Sequence, residues 1–441
     1  MIEPKQYPID IIKQPFQEFI QQEKAGGIVL GISIIIALFL ANSSLAEPYF
    51  EFLSQKVGLQ FNGDTYFNLS ILHWINDGLM AIFFFVVGLE LKREIVGGEL
   101  ANPREALLPV AAAIGGVVFP AIIYYGLNST GEASNGWGIP MATDIAFALG
   151  VLYLLGNKIP LSLKVFLTAL AIVDDLVAVL VVAIFYTSDI SVLNLFVGLG
   201  IVLVMFIGNR MGVRNFLFYG ILGILGVWVA FLLSGVHATI AAVMAAFTIP
   251  ADVKIKENTY IGKIQNHLKK FKSIDPVNDI TTLTDDQLHI LDGVKQDTNR
   301  AIPPLQRLEH AMHPFVTFLV IPIFALANAG VSLTIDLDQL FSTNVFLGIV
   351  LGLLVGKVLG IMGFSFLLVK LKVAYLPKGM NWKNLFGLSL LASIGLTMSL
   401  FITSMAFSSE EYIAQAKIGI FTASLIGGVA GYFLLFKQSK K

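Results

Sequence analysis

The chain has 441 residues, 56% hydrophobic and only 13% charged, against about 25% charged in an average soluble protein. This excludes a soluble globular protein and points to one that crosses a membrane many times; the absence of cysteine also excludes a disulfide framework, thiolate chemistry and any Cys-based metal site. A net charge of −1 carries no message about partners, because the basic residues are segregated along the chain and not in excess.

Residues 1–24, with Pro4, Pro8, Pro15 and interspersed charges, do not form a signal peptide and are expected to be a cytoplasmic segment. About twelve apolar stretches long enough to cross a bilayer follow. They lie near 25–41, 73–91, 106–127, 139–156, 162–186, 192–208, 215–233, 236–250, 312–331, 345–370, 384–406 and 412–436. With the N-terminus inside, Lys92, Arg93, Arg104, Lys158, Lys164, Arg210, Arg214, Lys370, Lys372, Lys378, Lys383, Lys437, Lys440 and Lys441 all fall on the cytoplasmic side. The outer side holds only Lys56 and Lys417. That asymmetry predicts both termini, including the 437–441 tail, in the cytoplasm. The organisation expected is therefore spans one to eight over 25–250, a polar insert over 251–304, and spans nine to twelve over 305–436.

Two connections stand out. On the outer side Val57–Phe61 and Thr65–Leu69 flank Asn62-Gly63, a strong hairpin signal. An isolated hairpin is marginal in water, so Val57–Leu69 either folds onto its own chain or pairs with the same hairpin of a second subunit. Inside, Ala251–Pro304 is polar and charge-rich; Thr284-Asp285-Asp286-Gln287 reads as a capping box opening a short helix. A segment this polar buries little core and is expected to be a solvated appendage.

Spans three to five and ten to twelve form two triplets of opposite orientation. The middle span of each is interrupted, by Pro140 and Thr143 in one and by Ser393-Ile394-Gly395 in the other. Broken apolar segments at corresponding places in two halves point to a transporter's binding site. Pro140 and its steric demand on the preceding residue predict an extended Gly138–Ala142. A half-helix beginning at Asp144 would present free N–H groups and a positive dipole end that a carboxylate neutralises. The carbonyls at the opposite half-helix ends are expected to be met by Lys357. Non-helical backbone at this depth is tolerated only where protein or water covers it, so Pro140, Thr143, Ser393, Gly395 and Thr397 also mark a cavity.

The fifth stretch, LTALAIVDDLVAVLVVAIFY over Leu167–Tyr186, carries Asp174 and Asp175 near its middle. One Asp at that depth costs about 2.5–3.5 kcal/mol on insertion scales, so two in succession need a reason. Adjacent helical positions diverge by about 100°, which lets one carboxylate face a cavity and the other a partner helix. Asp144 lies in the fourth span, and Asp77 opens the second near the outer boundary. The only cation near the centre of any span is Lys357. One ammonium against several acids leaves at least one acid uncompensated, and such a group holds either a proton or a small cation. Competition between the two is the physics of proton-coupled cation exchange.

At the inner end of the second span, Glu90, Arg93 and Glu94 gather, and Glu309, His310 and His313 open the ninth span on the same side. Histidine titrates nearest physiological pH, so this cluster is placed to gate access by pH; charges flanking spans also serve as plain anchors. His237 starts the short eighth span on the outer side, where a satisfied helix-end histidine is the simpler expectation.

At these residues the chain closely resembles the NhaA-type sodium/proton antiporters. The resemblance rests on WINDGLMAIFFFVVGLELKREI (74–95), ATDIAFALG (142–150), LAIVDDL (170–176), SGVHATIA (234–241), RLEHAMHP (307–314), FALANAGV (324–331), GKVLGI (356–361) and SIGLTMSLFI (393–402). It implies an all-α, twelve-span membrane fold with inverted-topology repeats, two crossed discontinuous helices and a small extracytoplasmic hairpin. It also implies electrogenic exchange of two protons for one Na⁺ or Li⁺, in a dimer of the bacterial inner membrane. By the family's motifs Asp175 is the cation ligand and Asp174 is essential and pairs with Lys357. Thr143 and Asp144 lie near the cation site and the dipole compensation, and Glu90, Arg93, Glu94, Glu309, His310 and His313 match a pH-sensing entrance. The connector before RLEHAMHP is much longer than the family's usual one, so the pH profile transfers least. No enzymatic activity, cofactor or nucleic-acid partner is expected; Na⁺ or Li⁺ is cargo, held transiently at Asp174 and Asp175, and the lasting partners are lipids and a second copy of the chain.

Three rivals use the same residues. A Na⁺-coupled symporter for an organic anion needs a larger polar cavity. An intramembrane aspartyl protease needs two acids converging on one water and a Gly-x-Gly-Asp signature, which is absent. A channel fits poorly with a few titratable ligands in one cavity.

Overall fold

The computed structural model describes residues 25–61, 64–156, 159–187, 190–274, 282–332 and 343–438. The segments 1–24 and 439–441, and the turn Asn62-Gly63, lie outside the described residues.

Helix α1 (Ala25–Ala41) is the first span, and the chain then bends by 109° into a short helix α2 (Ala46–Ser54). Strands β1 (Lys56–Phe61) and β2 (Asp64–Ser70) pair antiparallel, in a register that joins Val57 to Leu69 and shifts before Leu59–Tyr66. Phe67, at φ +55°, takes up that irregularity. Ser70 accepts from His73 N (3.1 Å) to start α3 (Ile71–Gly97). Its turn Trp74–Leu79 is widened to a π-helix, so Asn76 and Asp77 sit on a bulge that apolar periodicity does not reveal.

Helix α4 (Pro103–Leu127) opens with the Asn102 cap and Pro103 in the first turn, where proline's missing N–H costs nothing. The fourth span is split into a 3-10 segment, Glu132–Met141, and helix α5 (Ile145–Tyr153). The expected extended run at Gly138–Ala142 is thus corrected: 3-10 geometry continues to Met141, and the backbone is extended only from Ala142 to Asp144. Proline's fixed φ suits a 3-10 turn as well as a strand. Helix α6 (Leu161–Phe185) carries the paired aspartates.

Helices α7 (Val192–Arg210), α8 (Phe216–Ser234) and α9 (Ala238–Thr248) follow, α8 ending at Gly235 with φ +78°, a left-handed cap. The insert is a helical pair, α10 (Glu257–Ile274) and α11 (Asp285–Ala301), and the Thr284–Gln287 capping box closes reciprocally (3.3 and 3.0 Å). Helices α12 (Pro304–Asn328) and α13 (Asn344–Lys370) precede the second broken span, α14 (Trp382–Leu391) and α15 (Leu396–Ala406), bent by 49° at Ala392–Gly395. Helix α16 (Glu410–Gln438) is last. It contains Lys417, which donates to Gly330 O (2.9 Å). Among the described residues, nine helices or helix runs are long and apolar enough to cross a membrane, or eleven if each bent pair is one span, and α9 is a shorter apolar helix.

Two cores form. The larger joins α1, α3, α4, α6, α12, α13 and both broken spans. The smaller seats α7, α8 and α9 against the inner half of α3 through Leu89, Met205, Tyr219, Val227 and Phe231. Helices α4 and α13 touch backbone to backbone at Gly115 and Gly360, where a Cβ on either would overlap the other's carbonyl group. That close approach brings Lys357 to the middle of the molecule.

Candidate functional site

The two broken spans meet at their interruptions through one backbone and one side-chain hydrogen bond. Asp144 N donates to Ile394 O (2.7 Å), and Ser399 Oγ donates to Ile139 O (2.8 Å). Asp144 caps both half-helices at once. Its Oδ1 accepts from Phe147 N (3.0 Å) at the start of α5, and its Oδ2 accepts from Thr397 N (3.0 Å) and Thr397 Oγ1 (2.7 Å) at the start of α15. Each helix N-terminus carries roughly half a positive charge, so two of them are matched by one carboxylate. Ser424 of α16 accepts from Gly395 N (3.2 Å), a contact sequence reading missed because serines are common in spans.

Lys357 and Asp174 form an ion pair with no exposed surface, and Lys357 Nζ also donates to Thr143 Oγ1 (2.8 Å). The Thr143 hydroxyl reaches Asp174 Oδ2 and, at 2.9 Å, Ala392 O, the end of the first half of the other broken span. A hydroxyl has one proton to give, so its two acceptors alternate. The expectation that Lys357 meets half-helix carbonyls is corrected: the ammonium is taken by Asp174 and Thr143, and Thr143 reaches the carbonyl instead.

Asp174 and Asp175 diverge as adjacent helical positions must. Asp174 turns to Lys357, whereas Asp175 faces a cavity of about 360 Å³. Both oxygens of Asp175 are buried without a hydrogen-bond partner among the described residues, as is Asp174 Oδ1. A buried carboxylate in that condition is costly until a proton or a cation joins it. Hard cations take oxygen ligands, and Asp175 supplies two oxygens, with Asp144 and Thr397 lining the same space. The donor set therefore fits an alkali cation as cargo.

The cavity is also lined by Glu90, Arg93, Glu309 and His313. Arg93 pairs with Glu309 and, at 2.9 Å, with Glu94, whose other oxygen accepts from Glu99 N (3.0 Å). Glu94 thus joins the cluster through Arg93, and His310 is exposed beside the cavity without lining it. Asp77 and His237 lie elsewhere. Asp77 pairs with His73 (2.9 Å), and His237 precedes α9 with its ring 6.3 Å from that of Phe401. Thr168, seven residues before Asp175 on the same face of α6, and Tyr153 and Thr317 complete the wall. Thr168 is legible as the one aliphatic hydroxyl on that apolar stretch, but its direction is not.

The family model described as Na+/H+ antiporter 1 matches residues 17–435. The chain is 46% identical over 438 residues to the Na(+)/H(+) antiporter NhaA 2 of Syntrophotalea carbinolica, covering 99% of each chain. It is 47% identical to the Na(+)/H(+) antiporter NhaA of Oleidesulfovibrio alaskensis, over 97% of this chain and 95% of that one. With the Na(+)/H(+) antiporter NhaA 1 of Saccharophagus degradans the identity is 48%, over 97% and 92%.

Proposed function

The chain belongs to the Na+/H+ antiporter 1 family and exchanges Na⁺ for H⁺, and from that premise we propose that it does so electrogenically, by alternating access, with Asp175 as the residue at which cation and proton compete. The observation that carries this is the pair of orphaned Asp175 oxygens facing a cavity that Glu90, Arg93, Glu309 and His313 also line. A proton on Asp175 satisfies one oxygen, whereas Na⁺ or Li⁺ engages both and must shed water to do so. Neither occupant leaves the carboxylate bare, and the two exclude each other.

The Asp174–Lys357 pair supplies the second exchangeable proton in this scheme. Drawing Asp174 toward a cation on Asp175 strips Lys357 of its carboxylate, and a lone buried ammonium is costly. Losing a proton from the pair relieves that cost, so two protons leave for one monovalent ion and net charge moves. Asp144 remains the shared cap of α5 and α15 throughout, keeping the crossing intact while the halves rock.

We further assign Glu90, Arg93, Glu94, Glu309, His310 and His313 to a pH-responsive mouth, in an inner-membrane protein with both termini in the cytoplasm and the β1–β2 hairpin joining two copies. The symporter alternative is disfavoured by cavity size: about 360 Å³ lies at the low end of the roughly 300–1,000 Å³ of small-molecule sites. The test is dissipation of a preset pH gradient in everted vesicles on adding Na⁺, Li⁺ or K⁺. Na⁺ and Li⁺ are expected to collapse it in the native protein and not in Asp175→Asn at equal membrane abundance. Full exchange by that variant would remove Asp175 from the mechanism.

A further inference from the structure

Between α1, α5 and α16 lies a second cavity, of about 600 Å³, lined by Phe147 and Val151 on the face of α5 away from Ala146 and Leu149 of the ion cavity. It is a groove with an exposed rim and a buried floor. Ile35, Leu425 and Phe433 on the rim are 67%, 70% and 63% exposed, while Leu396 and Ser424 on the floor are 6% and 3% exposed. The floor is part of the broken span itself. Leu396 opens α15, and Ser424 Oγ accepts the hydrogen bond from Gly395 N that holds the break.

We infer that this groove is a binding site for one phospholipid acyl chain, packed directly on the interruption of the α14–α15 span. The occupant is fixed by depth and by chemistry. Gly31, Ile34, Ile35 and Leu38 put the groove in the middle of α1, at the level of the hydrocarbon core. A peptide segment laid there would bring irregular backbone against lipid, which that region does not tolerate. The wall is apolar apart from the floor serine, whose oxygen is already engaged, and the phenol of Tyr432, so it holds no charged group to meet a headgroup or an ion. A flexible hydrocarbon chain satisfies all of these conditions, and its volume falls within the range of small-molecule sites. The bilayer is thereby a packing partner of the broken span as well as its solvent.

Gly31 provides the test. A Cβ added there meets only the edge of the Phe147 ring, at 3.7 Å, so a larger side chain can enter the groove without displacing backbone. Gly200, on the lipid-facing side of α7, has nothing within 4 Å and serves as control. The full chain is reconstituted in nanodiscs of phosphatidylglycerol and phosphatidylethanolamine carrying a diazirine at mid-chain, irradiated, and mapped by peptide mass spectrometry. Labelling at Phe147, Leu425 and Phe433 is expected several-fold above that at Leu193 and Leu203 of α7. Gly31→Leu should remove the excess, and Gly200→Leu should leave it. Even labelling around the belt, an excess that survives Gly31→Leu, or cross-links from the groove to residues 1–24 in place of lipid would overturn the site. Because this reads lipid contact and not transport, it fails or succeeds independently of the ion assignment.

Discussion

Asp144 of one broken span holds Thr397 of the other by two bonds to a single oxygen, from the backbone nitrogen at 3.0 Å and the hydroxyl at 2.7 Å. The same carboxylate caps its own half-helix through Phe147 N. One side chain therefore ties together two helix starts that have no continuous backbone to support them.

Removing it should cost stability more than a surface cap does. Asp144→Ala leaves buried N–H groups of both half-helices unpaired, at about 1–3 kcal/mol each. Asp144→Asn keeps an acceptor and should lose less, and Thr397→Val, which spares the backbone bond, least. Thermal unfolding in detergent, followed by intrinsic fluorescence, checks the order; equal melting temperatures for the three would contradict the shared cap.

The Lys357–Asp174 pair gives a different pattern. Lys357→Ala strands a buried carboxylate, and breaking such a pair from one side costs about 3–5 kcal/mol. The double variant Lys357→Ala/Asp174→Ala removes both charges and should regain much of that stability while staying inactive in exchange. A double variant as unstable as the sum of the singles would show that the two residues do not meet.

In the polar insert, Asp297 accepts from Lys263 (2.9 Å) and lies 3.2 Å from His267 and 3.6 Å from Arg300. The Lys263 hydrogen bond, with help from His267, holds its carboxyl below the usual range, against a smaller opposing effect of burial. A depressed folded-state value means the stabilisation is complete above the unfolded value of about 3.9 and is lost as pH falls through the folded one. Hydrogen exchange across Tyr260–His267 should thus stay slow from neutral pH down to about 4, once corrected for intrinsic rates, and quicken below. In Asp297→Asn it should be faster throughout and lack that acid step.

Much of this was legible in the sequence, for identifiable reasons. The spans follow from length and hydropathy, and the break at Ser393–Gly395 from small polar residues where an apolar helix should run. The divergence of Asp174 and Asp175 follows from helical geometry alone. What the sequence hid was set by packing between distant segments. That Thr143, not Lys357, meets the Ala392 carbonyl depends on Gly115 and Gly360 bringing α4 and α13 together. The π-turn at Trp74–Leu79 leaves hydropathy unchanged, so Asn76, which accepts from Asn328 Nδ2 (2.7 Å), could not be assigned a partner. The 3-10 segment before Thr143 was read as extended because proline's fixed φ serves both conformations.

The central claim is that Asp175 holds a proton or an alkali cation but never both. It is tested most directly by calorimetric titration of the purified protein with Na⁺ at one pH, in buffers of different ionisation enthalpy, which counts protons released per ion bound. Release is expected with the native protein, and neither binding nor release with Asp175→Asn. Sodium binding whose heat is the same in every buffer, with no proton set free, would contradict the account.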